Sequence, residues 1–333
     1  MLLFIAGCTP GTPAAIPASP PTTPSNAVRP ATHEITLYDD GFGDPTPEGI
    51  TVGPDDALWF TDPGNEVVGR MTSDGDYTLQ FFTGFAVSDG ITTGPDGALW
   101  FTQNGWSQGS DAGIGRLTTS GSLTKFSDPG GAYPQGITTG PDGALWFGES
   151  NGTVGRMTTS GTVTHLTVAP SDATLEGIVT GPDRNLWVTQ EIVGGSRFSN
   201  QVIRVTTSGK FKSFTVGSGP DAICVGPDGA LWFTEANANA VGRLTTSGSY
   251  DQFPVDYEYA QPSGIATGPD GALWLTDFAG RFGIARMTTT GKTKFFPVRP
   301  GFPELDRITA GPDKAMWFTS TLFPPAIGRI TIR

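Results

Sequence analysis

Carboxylates recur in this chain at a fixed distance ahead of tryptophan, and a recurring acid is a candidate for cation capture or proton transfer. Eleven residues before Trp59, Trp100, Trp146, Trp187, Trp232, Trp274 and Trp317 stand Glu48, Asp89, Gln135, Glu176, Asp221, Ser263 and Asp306. Five of these seven are acids. Gathered on one rim they would crowd negative charge, and crowded carboxylates either keep protons at raised pKa or hold a cation. Oxygen ligands of this kind suit Ca²⁺ or Mg²⁺ rather than zinc. An acid whose pKa is lifted toward neutrality is also a candidate general base, and Asp221 and Asp306 are named for both roles. The alternative is a solvated acidic surface with no fixed ligand. A second set, three residues after each tryptophan, comprises Asp62, Gln103, Glu149, Gln190, Glu235, Asp277 and Ser320 and is expected on the same face, further out.

The elements that position these residues follow from the repeat. Successive tryptophans are 41, 46, 41, 45, 42 and 43 residues apart. A clear copy runs from Gly136 through Gly-Pro-Asp-Gly to Ala144-Leu145-Trp146-Phe147, then through Val154-Gly155-Arg156-Met157 to Gly161. Short strands and tight turns at this period predict an all-β, seven-bladed propeller with four-stranded blades. Strand A precedes the Gly-Pro-Asp turn, strand B carries the tryptophan, strand C carries an arginine, and strand D follows a Thr-Ser-Gly turn. Strand A starts on the face where the B-to-C loops emerge, so the acids belong at the mouth of the central channel. The last repeat stops inside strand C, whereas Glu34-Ile35-Thr36-Leu37-Tyr38 has the pattern of strand D. The N-terminal strand is therefore expected to close the ring as the outer strand of blade seven. Arg70, Arg116, Arg156, Arg204, Arg243, Arg286 and Arg329 share one strand C position, which points to a structural role, as does the regularity of the tryptophans.

Unequal loops break the sevenfold pattern. From tryptophan to the strand C arginine the counts are 11, 16, 10, 17, 11, 12 and 12, so blades two and four carry the long B-to-C loops. Trp106, Arg197 and Phe198 in those loops are candidates, with the mouth residues Glu48, Asp89, Gln135, Glu176 and Ser263, for binding a ligand.

Thirty-two acidic against 20 basic residues give a net charge of −12, which disfavours nucleic acid and anionic membrane surfaces. No motif calls for an organic cofactor, and a monomer is expected. Residues 1–8 end in Ile5-Ala6-Gly7-Cys8, which resembles the lipobox of bacterial lipoproteins and predicts acylation of Cys8. Residues 9–32 are rich in Pro, Thr and Ala and read as an extended stalk. Residues 33–333 are the propeller. The expected location is the bacterial cell envelope or exterior, with membrane contact only through the lipid. Cys224 lies in an inner strand and reads as a small buried apolar residue.

The repeated Gly-Pro-Asp-Gly-Ala-Leu-Trp-Phe-Thr and Ile/Val-Gly-Arg-hydrophobic-Thr motifs resemble those of the virginiamycin B lyase family across all seven repeats. The resemblance implies an enzyme that opens the lactone of a cyclic depsipeptide antibiotic by elimination, with a histidine base and a magnesium ion. It places the histidines at the mouth positions of the last two blades, which here hold Ser263 and Asp306. Of the two metal-binding glutamates it implies, one matches Glu304, a metal and catalytic candidate with Asp306 and Asp221. The other falls in the loop Ser320-Thr321-Leu322-Phe323-Pro324-Pro325, which has no carboxylate. The chain has two histidines, and neither His33 nor His165 is expected to reach the mouth. These departures favour a surface-anchored module that binds a cation, small molecule, peptide or glycan at the acidic mouth. The alternative is a carbon–oxygen lyase that uses carboxylates in place of histidine.

Overall fold

In the computed structural model of the chain, residues 33–38, 46–83, 87–104, 112–129, 132–192, 200–298, 304–321 and 326–332 are described. Cys8, Trp106, Arg197 and Phe198 lie outside them. The described residues form seven four-stranded antiparallel sheets, six of them one repeat each and the seventh shared by the last repeat and the N-terminal strand. Blade three, for instance, is built from Pro134–Thr139, Leu145–Glu149, Thr153–Met157 and Val163–Thr167.

The conserved geometry of each blade begins at the Gly-Pro-Asp turn. Asp142 accepts hydrogen bonds from Trp146 Nε1 at 3.0 Å and from Arg156 Nε at 2.7 Å. The guanidinium carbon of Arg156 also stands 5.8 Å from the Trp146 ring centroid, within cation–π range. Burial tends to raise the Asp142 pKa, but the tryptophan and arginine donors prevail and hold it below the usual carboxylate range. A Cβ on Gly140 would collide with the Trp146 indole, so glycine is what admits the ring beneath the turn. The arginines and tryptophans are thus one structural device. Blade four varies it: Asn185 donates to Asp183 at 2.8 Å, and Arg204 stands off at 3.9 Å.

Blades pack through these tryptophans. Trp146 joins Ile178, Leu186 and Val188 of the next blade in one buried cluster. Such non-directional apolar contact supplies most of the drive that holds neighbouring sheets together. Cys224 packs against the equivalent Trp232 cluster but is half-buried rather than fully enclosed.

The ring closes as the repeat count requires. Ile35–Tyr38 is the outer strand of the last blade, with Ile35 opposite Ile330 and Leu37 opposite Gly328. Tyr38 stacks on Trp317 at 5.5 Å between centroids.

Candidate functional site at the channel mouth

A threonine two residues after tryptophan sets the position of each acid in much of the ring. Thr189, Thr234, Thr276 and Thr319 accept the backbone N–H of Gly177, Ala222, Gly264 and Arg307 in their own blades, at 2.8 to 3.1 Å. Each donates its hydroxyl proton across the seam to the mouth residue of the next blade. The acceptors are the carbonyls of Asp221 at 2.6 Å, Ser263 at 2.8 Å, Asp306, and Glu48 at 2.7 Å. The strand A backbones therefore approach closely around the channel. A Cβ on Gly177 would lie 2.6 Å from the Asp221 carbonyl oxygen, which explains why glycine follows most mouth residues.

Blade seven breaks that rule. Gly49, Gly90, Gly136, Gly177, Ala222 and Gly264 are matched there by Arg307, whose side chain enters the channel. Its guanidinium reaches Asp89 at 2.5 Å, Asp221 at 3.1 Å and Asp306 at 3.7 Å, so one cation ties blades two, five and seven. Burial alone would lower the Arg307 pKa, but Asp221, Asp306 and Asp89 keep it well above its ordinary value and fully charged. The cation that an acidic ring demands is thus a residue of the chain. The signal was present in the sequence as the single large residue in a run of glycine and alanine.

One guanidinium does not balance five carboxylates. Burial, with Asp89 and Asp306 nearby, pushes Glu48 up to about 8, and burial with Asp221 and Asp89 does the same to Glu176. Burial raises Asp306 to about 6 against the opposing charge of Arg307, and raises Asp221 as well. Near pH 7 the mouth therefore offers protonated glutamates beside an ionised Asp306. Beneath them a cavity of about 180 Å³ is walled by one isoleucine per blade, among them Ile50, Ile137 and Ile308. Burial of the carboxyl groups at the channel, with like charges close by, is what lifts their pKa values.

The remaining sequence candidates separate from this cluster. Ser263 is buried, and its hydroxyl donates to the Leu305 carbonyl at 2.7 Å, so it belongs to the seam between blades. Gln135 donates to the Tyr133 carbonyl at 3.4 Å. Glu304 accepts from the Thr321 hydroxyl at 3.3 Å and makes no described contact with Asp306. The donor set does not fit the magnesium ion that the family resemblance implies: Asp221 and Asp306 already surround a guanidinium, and Glu304 stands apart. In blades one, five and six the acids three residues after tryptophan are buried and organise loops; Asp277, for example, accepts N–H groups from Gln261, Arg281 and Phe282. Tyr133, Tyr257, Tyr259 and Phe278, in loops that the sequence reading did not single out, are exposed.

With this geometry in hand, known proteins supply a comparison. A profile of the virginiamycin B lyase family matches residues 33–195 and again 193–333. A catalytically inactive histidine-to-alanine variant of virginiamycin B lyase from Staphylococcus aureus, solved with quinupristin, is 29% identical with a TM-score of 0.80, and the alignment covers 91% of this chain and 100% of that one. A streptogramin B lyase structure is 27% identical with a TM-score of 0.78, covering 90% and 98%. The virginiamycin B lyase of Bordetella parapertussis is 43% identical over 53 residues, a match that spans 15% of this chain and 18% of that relative.

Proposed function

Because the chain belongs to the virginiamycin B lyase family, we propose that it is a carbon–oxygen lyase that opens ester-containing cyclic peptides at its carboxylate-ringed mouth. The observation that carries this reading is the clustering of Asp306, Asp221 and Asp89 about the Arg307 guanidinium, with Glu48 and Glu176 at the same mouth, where burial raises Asp306 to about 6 and the two glutamates to about 8. Groups whose environments push their pKa values apart can divide the roles of base and acid. In the proposed elimination, Asp306 takes the proton from the carbon beside a substrate carbonyl. The released electron pair forms a C=C bond, the adjacent C–O bond breaks, and the acyl oxygen leaves as a carboxylate. Arg307 stabilises the negative charge that develops, and the protonated glutamates supply further donors. Asp221 fixes the guanidinium.

A second reading, a binding module for a small molecule, peptide or glycan, is favoured by the seam-bound Ser263 and by the exposed aromatics of the loops. Both are tested by incubating the protein with quinupristin, the ligand of the related structure, and following the mass and the bound fraction. The lyase reading expects time-dependent ring opening that falls ~10²–10⁴-fold in Asp306→Asn, the usual cost of losing a positioned base. Saturable binding without turnover would replace it with the binding module, and the absence of both would sink the lyase reading and the binding of cyclic depsipeptides. We also propose that Cys8 is acylated and that residues 9–32 hold the propeller off the bacterial envelope. Release of the protein from membranes by Cys8→Ser tests this.

A further inference from the structure

Blade three holds a group of side chains that the mouth chemistry does not use. Glu149 ends strand B, Leu145–Glu149; His165 sits in the outer strand, Val163–Thr167; Asp128 directly follows the outer strand of blade two, Leu123–Ser127. His165 Nε2 lies 2.7 Å from Asp128 Oδ1 and 3.4 Å from Glu149 Oε1. Both carboxylate side chains are 0% exposed, whereas the imidazole is 24% exposed. One ligand atom from each residue falls within 4.8 Å of the others, the one such group among the described residues. Both oxygens of Asp128 and Oε1 of Glu149 have no hydrogen-bond partner among the described residues.

Blade five shows how the same framework satisfies an acid with neutral groups. Glu235 matches Glu149 in sequence position, and Gln252 lies opposite Gly242 as His165 lies opposite Gly155. There the carboxylate accepts from Gly217 N at 2.8 Å, Tyr250 Oη at 2.7 Å and Gln252 Nε2 at 2.7 Å. In blade three the Thr153 hydroxyl donates to Glu149 Oε2, but the tyrosine and glutamine donors give way to a second carboxylate and an imidazole. Three ligand-type groups then converge on one point, two of them acids removed from water, and such a pair is costly unless a shared proton or a cation completes it.

We propose that Asp128, Glu149 and His165 bind a divalent transition-metal ion of the zinc class, clasping blade two to blade three. A mixed imidazole and carboxylate set suits Zn²⁺ and its neighbours, whereas Ca²⁺ and Mg²⁺ take oxygen ligands. Two carboxylates balance the ion's charge, and the exposed side of His165 leaves room for water as a further ligand. The site is separate from the channel mouth and does not depend on the lyase reading.

The test uses untagged full-length protein stripped with EDTA, titrated with Zn²⁺ by calorimetry and melted with and without the ion. One ion per chain and a raised Tm are expected. His165→Gln copies the blade-five arrangement, so it should fold while binding weakens by more than about tenfold, a loss that even a residue behind a metal ligand can cause. His33→Gln alters the only other histidine in the sequence and should bind as the parent does. Absence of binding by the parent protein, or binding that survives His165→Gln, would overturn the proposal.

Discussion

Arg307 sets the charge balance of the mouth, and its removal should be read most clearly as a function of pH. In Arg307→Met the acids lose their cation, so ionised forms are penalised further and the folded state gives up stability as pH rises through the range where they would ionise. The melting difference from the parent protein is expected to be larger at pH 8 than at pH 5; an equal difference at both would show that the guanidinium acts only as packing. Activity makes a second demand on the same groups. The base must be ionised and the acids protonated, so kcat/KM for quinupristin opening should rise through about pH 6 and fall through about pH 8. These limbs report the cluster as a whole, because its members interact. A profile rising monotonically to pH 9 would remove the glutamates from the mechanism. Much of the acidic ring was legible in the sequence, since its residues share one repeat position. Arg307 was overlooked because a large side chain stands at this otherwise small position in a single copy. The His165 group was hidden because Asp128 comes from the neighbouring blade and occupies no repeated acidic position.

At the scale of the element, the Gly-Pro-Asp turn is a fastening between strands rather than a loop filler. Asp142 connects the turn to Trp146 on strand B and Arg156 on strand C, so Asp142→Ala leaves an indole N–H and a guanidinium without their acceptor. A loss of about 1–3 kcal/mol is expected by chemical denaturation, the range for an unsatisfied buried group, and it comes mainly from the buried indole because the arginine is partly exposed to water. Asp183→Ala should cost less of the arginine contribution, because Arg204 is already 3.9 Å away. Equal losses in the two blades would show that the arginine contact adds nothing. The framework role of the arginines could be read from their presence in every repeat. Their acceptor could not, because a turn aspartate carries the same local signature whether or not its side chain is engaged.

For the molecule as a whole, closure joins the beginning and end of the propeller in one sheet. Deleting residues through Tyr38 would uncover the backbone edge of Ala326–Ile330 and the face of Trp317, and aggregation or a marked fall in Tm is expected. Unchanged melting would contradict this dependence. The sequence disclosed the closing strand because one repeat lacked its outer strand and a matching pattern stood at residue 34. The same closure makes the propeller a circle with one covalent link left out. Thr331 N donates to the Glu34 carbonyl at 3.0 Å, as Thr118 N donates to the Ser122 carbonyl at 3.0 Å, but only the latter pair is bridged by Thr119-Ser120-Gly121. A circular permutant that supplies Thr-Ser-Gly between Thr331 and Glu34, and opens instead at Thr206-Thr207-Ser208-Gly209, should fold to the same ring. Position along the gene would then be arbitrary with respect to position around the channel.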